Sequence, residues 1–143
     1  MGLALGEARA AGDAGDVPVG AVVLGPGGEV LGVGRNLREV EGDPVAHAEV
    51  VALRAAASSL GTWRLDGCTL VVTLEPCLMC AGAVLQARVP RIVLGAWDAK
   101  AGATGSQWDV VRDARLGSKV EVVSGVRAAE FAGLLAEFFE ARR

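Results

Sequence analysis

Positive charge, histidine and long apolar runs are all scarce in this sequence. The formal net charge is −3 and the pI lies near 5.2, the opposite of the basic surplus by which nucleic-acid binders usually declare themselves. No apolar stretch approaches the ~18 residues of a membrane span. The first residues also lack a basic segment followed by an apolar core, so the expected setting is the cytoplasm, with no membrane association. Three cysteines are an odd number and too few for a disulfide scaffold, which fits a reducing compartment where thiols bind metal. Internal repeats, low-complexity tracts and linkers are absent. At 143 residues, with 52% hydrophobic content and a mean hydropathy of +0.40, the chain is expected to form one domain, residues 1–143, around a real hydrophobic core.

What the sequence does contain is two short segments that belong together. One is Asp43-Pro44-Val45-Ala46-His47-Ala48-Glu49, which holds the only histidine, and the other is Glu75-Pro76-Cys77-Leu78-Met79-Cys80. Structural zinc sites are almost always closed by four protein ligands, whereas catalytic sites use three and leave a position for water. His47, Cys77 and Cys80 make three, which points to one open, catalytic Zn2+ per chain. Glu49 is left over beside the histidine, with the chemistry to carry protons.

Cys77 and Cys80 stand one turn apart at a helix start, where both sulfurs can face one point and free amides favour thiolates. The rival is a redox Cys-x-x-Cys following a strand, which leaves His47 and Glu49 unexplained. Cys68, the remaining thiol, begins a buried strand and reads as a core residue. The His-x-Glu spacing is harder. Residues two apart on a helix point about 200° from each other, so both approach one metal only if the pair lies at the helix's first turn.

Apolar periodicity gives a helix from residue 2 to about 13. A hairpin follows, with strands over 17–24 and 29–35 around Gly25-Pro26-Gly27-Gly28. Residues 36–42 read as a loop. Asp43-Pro44 is a plausible helix start, with Asp43 as cap and an alanine-rich helix over 46–59. Residues 68–74 are a near-continuous apolar run, as in strands buried on both faces. A helix over 77–86, a strand over 91–96, one or two helical turns over 107–112 and a strand over 120–123 come next. Phe131, Leu134, Leu135, Phe138 and Phe139 mark one face of a terminal helix. Strands alternating with helices imply an α/β fold with a mixed sheet covered on both faces. Glu75 ends a strand just before the ligand helix and reads as a carboxylate that orients nearby backbone N–H groups.

His-x-Glu followed by Pro-Cys-x-x-Cys resembles the signature of the zinc-dependent cytidine and adenosine deaminase superfamily. Within it the chain is most similar to the bacterial tRNA-specific adenosine deaminases. The likeness extends to Val17-Pro18-Val19-Gly20-Ala21-Val22, Arg35-Asn36, Asp98-Ala99-Lys100, Gly102-Ala103-Thr104-Gly105-Ser106, Phe138-Phe139 and Arg142-Arg143. The resemblance implies a three-layer α/β/α cytidine-deaminase-like fold with a five-stranded mixed sheet. It implies hydrolytic deamination of adenosine to inosine at the wobble position of a tRNA anticodon stem-loop, with Glu49 as proton shuttle and Zn2+ as cofactor, in a homodimer.

For the substrate it implies Asn36, Val19, Ala48, Pro76 and Asp98, and for the oxyanion the Cys77 backbone N–H. Read without the resemblance, Asn36 is a turn residue after a strand and Asp98 caps a turn. Trp97 stands where a basic residue is expected and either stacks on a base or covers a dimer seam. Phosphate contacts would come from among Arg64, Lys100, Arg112, Arg115, Lys119, Arg142 and Arg143. The alternatives are a deaminase of a free base, nucleoside or nucleotide such as cytosine, cytidine or guanine, and a catalytically silent zinc-stabilised RNA-binding or scaffold protein, against which intact Glu49 speaks.

Overall fold

The computed structural model describes residues 1–117 and 119–143. Five strands form one mixed sheet: β1 (Gly20–Leu24), β2 (Val30–Arg35), β3 (Thr69–Leu74), β4 (Arg91–Ala96) and β5 (Glu121–Val123), in the order β2-β1-β3-β4-β5. β1 runs antiparallel to β2 and β3, while β3, β4 and β5 are parallel to one another. Five helices accompany them: α1 (Gly2–Asp13), α2 (Arg38–Glu41), α3 (Ala48–Leu60), α4 (Leu78–Ala87) and α5 (Ala128–Glu140).

Alternation along the strands explains the layers. Ala21, Val23, Leu70, Val72, Ile92 and Leu94 join Ala48, Ala52, Ala56, Ala81 and Val84 of α3 and α4 in the main core. The intervening Val22 and Val71 face the other way, against Ala4 of α1. Helices therefore cover both faces, as the three-layer expectation required. Small residues set how closely the layers approach. A Cβ on Gly32 would stand 2.6 Å from both Ala52 O and Ala56 N, and one on Gly34 would collide with Ala48 O and Ala52 N. With side chains there, α3 could not lie where it does on β2.

Several local expectations are corrected. The first strand begins at Gly20, because the Val17 and Val19 carbonyls are taken by the Asn36 side chain and amide at 3.2 and 3.0 Å. Residues 36–42 contain the short helix α2. Its first amides, Glu39 N and Val40 N, donate to the buried Asp16 carboxylate at 2.8 and 3.1 Å, a partner too distant in sequence to anticipate. α3 does not start at Asp43-Pro44. The Asp43 carboxylate closes a turn onto Val45 N at 2.9 Å, and the cap is His47, four residues later.

No helix forms over 107–112. Trp108 N and Val110 N donate back across the loop to Gly102 O and Ala103 O, so these amides are not free for helical bonds. A 3₁₀ turn appears instead at Ala114–Leu116, where Asp113 accepts from Arg115 N. On α5 only Phe131 is buried, Leu134, Leu135 and Phe138 are half-buried, and Phe139 is 49% exposed. No helix among the described residues is long and apolar enough to cross a membrane.

Candidate metal centre and cavity

Two helix beginnings converge on one point. His47 is the N-cap of α3 and Cys77 the N-cap of α4, both with extended backbone. Cys80, three residues on, brings its sulfur to the same side as that of Cys77. The His47 Nδ1 lies 3.6 Å from Cys77 Sγ and 3.5 Å from Cys80 Sγ, and the three donor atoms are all within 4.8 Å of one another. A tetrahedral cation with ordinary Zn–S and Zn–N lengths sets nitrogen and sulfur about 3.6 Å apart. The donor set, its spacing and its count of three therefore fit zinc with a position left open.

The late start of α3 also removes the angular difficulty. His47 precedes the helix and Glu49 is its second residue, so the two side chains are not obliged to diverge as they would within a regular helix. Glu49 is 4% exposed, and burial raises its carboxyl above the ordinary range. The hydrogen bond to Cys77 raises the His47 pKa. Hydrogen bonding from Cys80, then His47, lowers the Cys77 thiol to about 3, while Cys80 is pushed up by its neighbour Cys77 and by burial. The two thiols are thus driven in opposite directions by one another, and a cation between the sulfurs would favour the thiolate form of both. Two helix N-termini aimed at the same spot add to that preference for negative charge.

Beside the cluster lies a cavity of about 200 Å³, walled by Val17, Val19, Asn36, Arg38, His47, Ala48, Glu49, Leu74, Glu75, Cys77, Asp98 and Ala101. The fold thus brings Asn36, Val19, Ala48 and Asp98 to the same wall as His47, Glu49 and Cys77. Pro76 is not on that wall; it is buried, and its carbonyl accepts from Ala103 N at 2.8 Å. Asn36 receives a bond from Arg38 N on Oδ1 and gives one from Nδ2 to Val17 O, both at 3.2 Å. Asp98 Oδ1 accepts from Lys100 N and Ala101 N at 3.0 and 3.3 Å. Each of the two is therefore a turn residue and a wall residue at once.

Glu75 has the organising role read for it. Its carboxylate accepts from Asp98 N at 2.9 Å and from Thr104 N and Ser106 N at 2.9 and 3.1 Å, which fixes the loop carrying Asp98. Arg38, Leu74 and Ala101 were not anticipated at the cavity. Arg38 reaches it because Asp16 pins α2 in place, and its position two residues after Asn36 was the one available hint. Of the basic residues proposed for phosphate contacts, Arg64, Arg112, Arg115 and Arg143 are engaged by Asp66, Asp109, Asp113 and Glu140.

Comparison with known proteins adds four findings. A family model described as the cytidine and deoxycytidylate deaminase zinc-binding region matches residues 1–96. Over 98% of its length the chain is 46% identical to the tRNA-specific adenosine deaminase of Bacillus subtilis, covering 86% of that protein. It is 54% identical over its whole length to a tRNA(Ile)-lysidine synthase of Deinococcus deserti, but spans only 27% of that longer protein. A solved structure from work on A-to-I editing by tRNA:A34 deaminases at the wobble position superposes with a TM-score of 0.89 at 41% identity, over 94% of this chain and 96% of the other.

Proposed function

From the premise that the chain belongs to the cytidine and deoxycytidylate deaminase zinc-binding family, we propose that it hydrolyses adenosine to inosine at the wobble position of a tRNA anticodon loop. The observation that carries the reaction type is the buried Glu49 set beside a three-donor cluster on the wall of one cavity. The relatives support the substrate, since the Bacillus protein is named for adenosine in tRNA and the superposed structure for position 34.

His47, Cys77 and Cys80 would hold the zinc, which when bound supplies a Lewis acid that makes water nucleophilic near neutral pH. Glu49 takes the proton from that water and passes it to the ring nitrogen as oxygen adds at C6. It then takes the remaining proton from the added hydroxyl and gives it to the departing amine, so that ammonia leaves and a carbonyl remains. Burial of Glu49 keeps bulk water from exchanging with the proton in transit. The Cys77 N–H, at the head of α4, is the donor assigned to the developing oxyanion.

Asn36 has spent one donor and one lone pair on the protein, which fixes its amide plane and leaves one of each for a base edge. Val19 and Ala48 supply apolar wall and Asp98 faces the ribose, while the Pro76 carbonyl, by accepting from Ala103 N, helps hold the loop that carries Asp98. The loop already presents unpaired nucleotides, so little unstacking precedes entry. The reading places the protein in the cytoplasm as a homodimer. The apolar groove between α3 and α4, with Leu53, Ala57, Leu65 and Ala83 on its wall and Trp63 58% exposed beside it, supports a second copy there, and sedimentation over a range of concentrations tests it.

Incubation with anticodon stem-loop RNA, and separately with adenosine, cytidine, cytosine and guanine, decides the substrate. Ammonia release with the RNA, and adenosine read as guanosine at the wobble position on sequencing, is the expected result. Rapid turnover of a free base with untouched RNA would overturn it.

A further inference from the structure

We propose that Trp97 is a stacking platform for the nucleobase that flanks the one being deaminated, an inference that rests on the RNA substrate proposed above. Trp97 immediately precedes Asp98, a residue of the cavity wall, yet the indole itself is 47% exposed. Its ring edge is seated on Gly105: a Cβ at that position would stand 3.1 and 3.2 Å from the ring atoms Cζ3 and Cη2. Gly105 has φ +143°, a backbone state that side chains rarely adopt, so the seat is kept bare on two grounds.

The seat is also rigid. Gly105 lies between Thr104 and Ser106, whose amides both donate to the buried Glu75 carboxylate, while Gly105 N donates to Trp108 O at 2.9 Å. A platform seated on a loop held this firmly costs little further ordering of the backbone when a base settles on it.

Charge makes such a platform useful. Seven arginines are each paired with a carboxylate, and the net charge is −3. Phosphate attraction alone is therefore a weak source of affinity for an RNA loop. Base stacking on an aromatic face needs no charge and tolerates any base. Arg112, within 3.1 Å of the same Gly105 position, supplies a cation beside the platform even while paired with Asp109.

The experiment measures kcat and KM on an anticodon stem-loop hairpin for wild type, Trp97→Ala and Trp97→Phe. The hairpin is used intact and with each nucleotide flanking the target adenosine made abasic in turn. Trp97→Ala is expected to raise KM about ten-fold, with a much smaller change in kcat, and Trp97→Phe to recover most of the loss. Removing one flanking base should raise KM for wild type by a similar factor and change the Trp97→Ala enzyme little further, because both lesions delete the same contact.

An unchanged KM for Trp97→Ala, or losses that simply multiply at both flanks, would overturn the proposal. So would sedimentation showing that the variant dissociates in step with its loss of activity, which would make Trp97 a seam between copies. If wild type itself leaves the intact hairpin unedited, the RNA reading fails and this inference falls with it; editing by wild type separates the two failures.

Discussion

Glu49 and the three ligand residues occupy neighbouring positions yet do separable work, and substitution tells them apart. Glu49→Gln keeps side-chain size in a position 4% exposed, so it should retain the fold and the metal while activity falls. A general acid–base group contributes typically ~10²–10⁴-fold, and one used in successive proton transfers should reach the upper end. Cys77→Ala should lose metal and thermal stability together, because metal affinity in such sites is also folding free energy. Metal analysis and turnover on the same preparations check both, and a Glu49→Gln enzyme within a few-fold of wild type would move the proton carrier elsewhere. The ligands were legible in the sequence because a lone histidine and a Cys-x-x-Cys leave few arrangements. Arg38 was not, since it is brought to the cavity by the bonds of α2 to Asp16, which lies 23 and 24 residues before the amides it receives.

Element boundaries decide whether those residues can meet. The sequence signal at Asp43-Pro44 is an ordinary helix start, yet Asp43 spends its carboxylate on Val45 N in a turn, and the backbone is extended at His47, so the helix begins only at Ala48. Local propensity could not reveal this. Leu37 N reaches across to the carbonyl of the buried Ala46, a contact between segments that exists only after folding. The loop after β4 shows the opposite case, where Glu75 was legible by its place at a strand end.

Glu75→Gln should put an amide donor either against Asp98 N, which now bonds Oε1, or against Thr104 N and Ser106 N, which share Oε2. Each unsatisfied buried group costs about 1–3 kcal/mol, so a loss of at least about 1 kcal/mol is expected in chemical denaturation. KM for the hairpin should rise as well, because Asp98 and Trp97 ride on the loop. Unchanged stability would mean that other contacts hold the loop.

For the molecule as a whole, alternation of strands and helices was enough to expect a covered mixed sheet, but not the order β2-β1-β3-β4-β5. Period-two patterning says which side chains share a face, and nothing in it says which strands are neighbours. Surface charge was likewise legible only as a sum. The net charge is −3, and folding further engages Arg64, Arg112, Arg115 and Arg143 with carboxylates. Arg38 stands at the cavity, and Lys100 follows Asp98 on the same loop. These two and one further cation give roughly three phosphate contacts, and each contributes about −0.7 to the log–log salt slope on single-stranded RNA. Binding measured across a salt series should therefore follow a slope near about −2, shallow for an RNA enzyme. Arg38→Gln should flatten it by about one contact's share, ~0.7. Binding that ignores salt would instead indicate a small-molecule substrate, and a slope several times steeper would mean that the acidic surface turns a concentrated basic face toward the RNA.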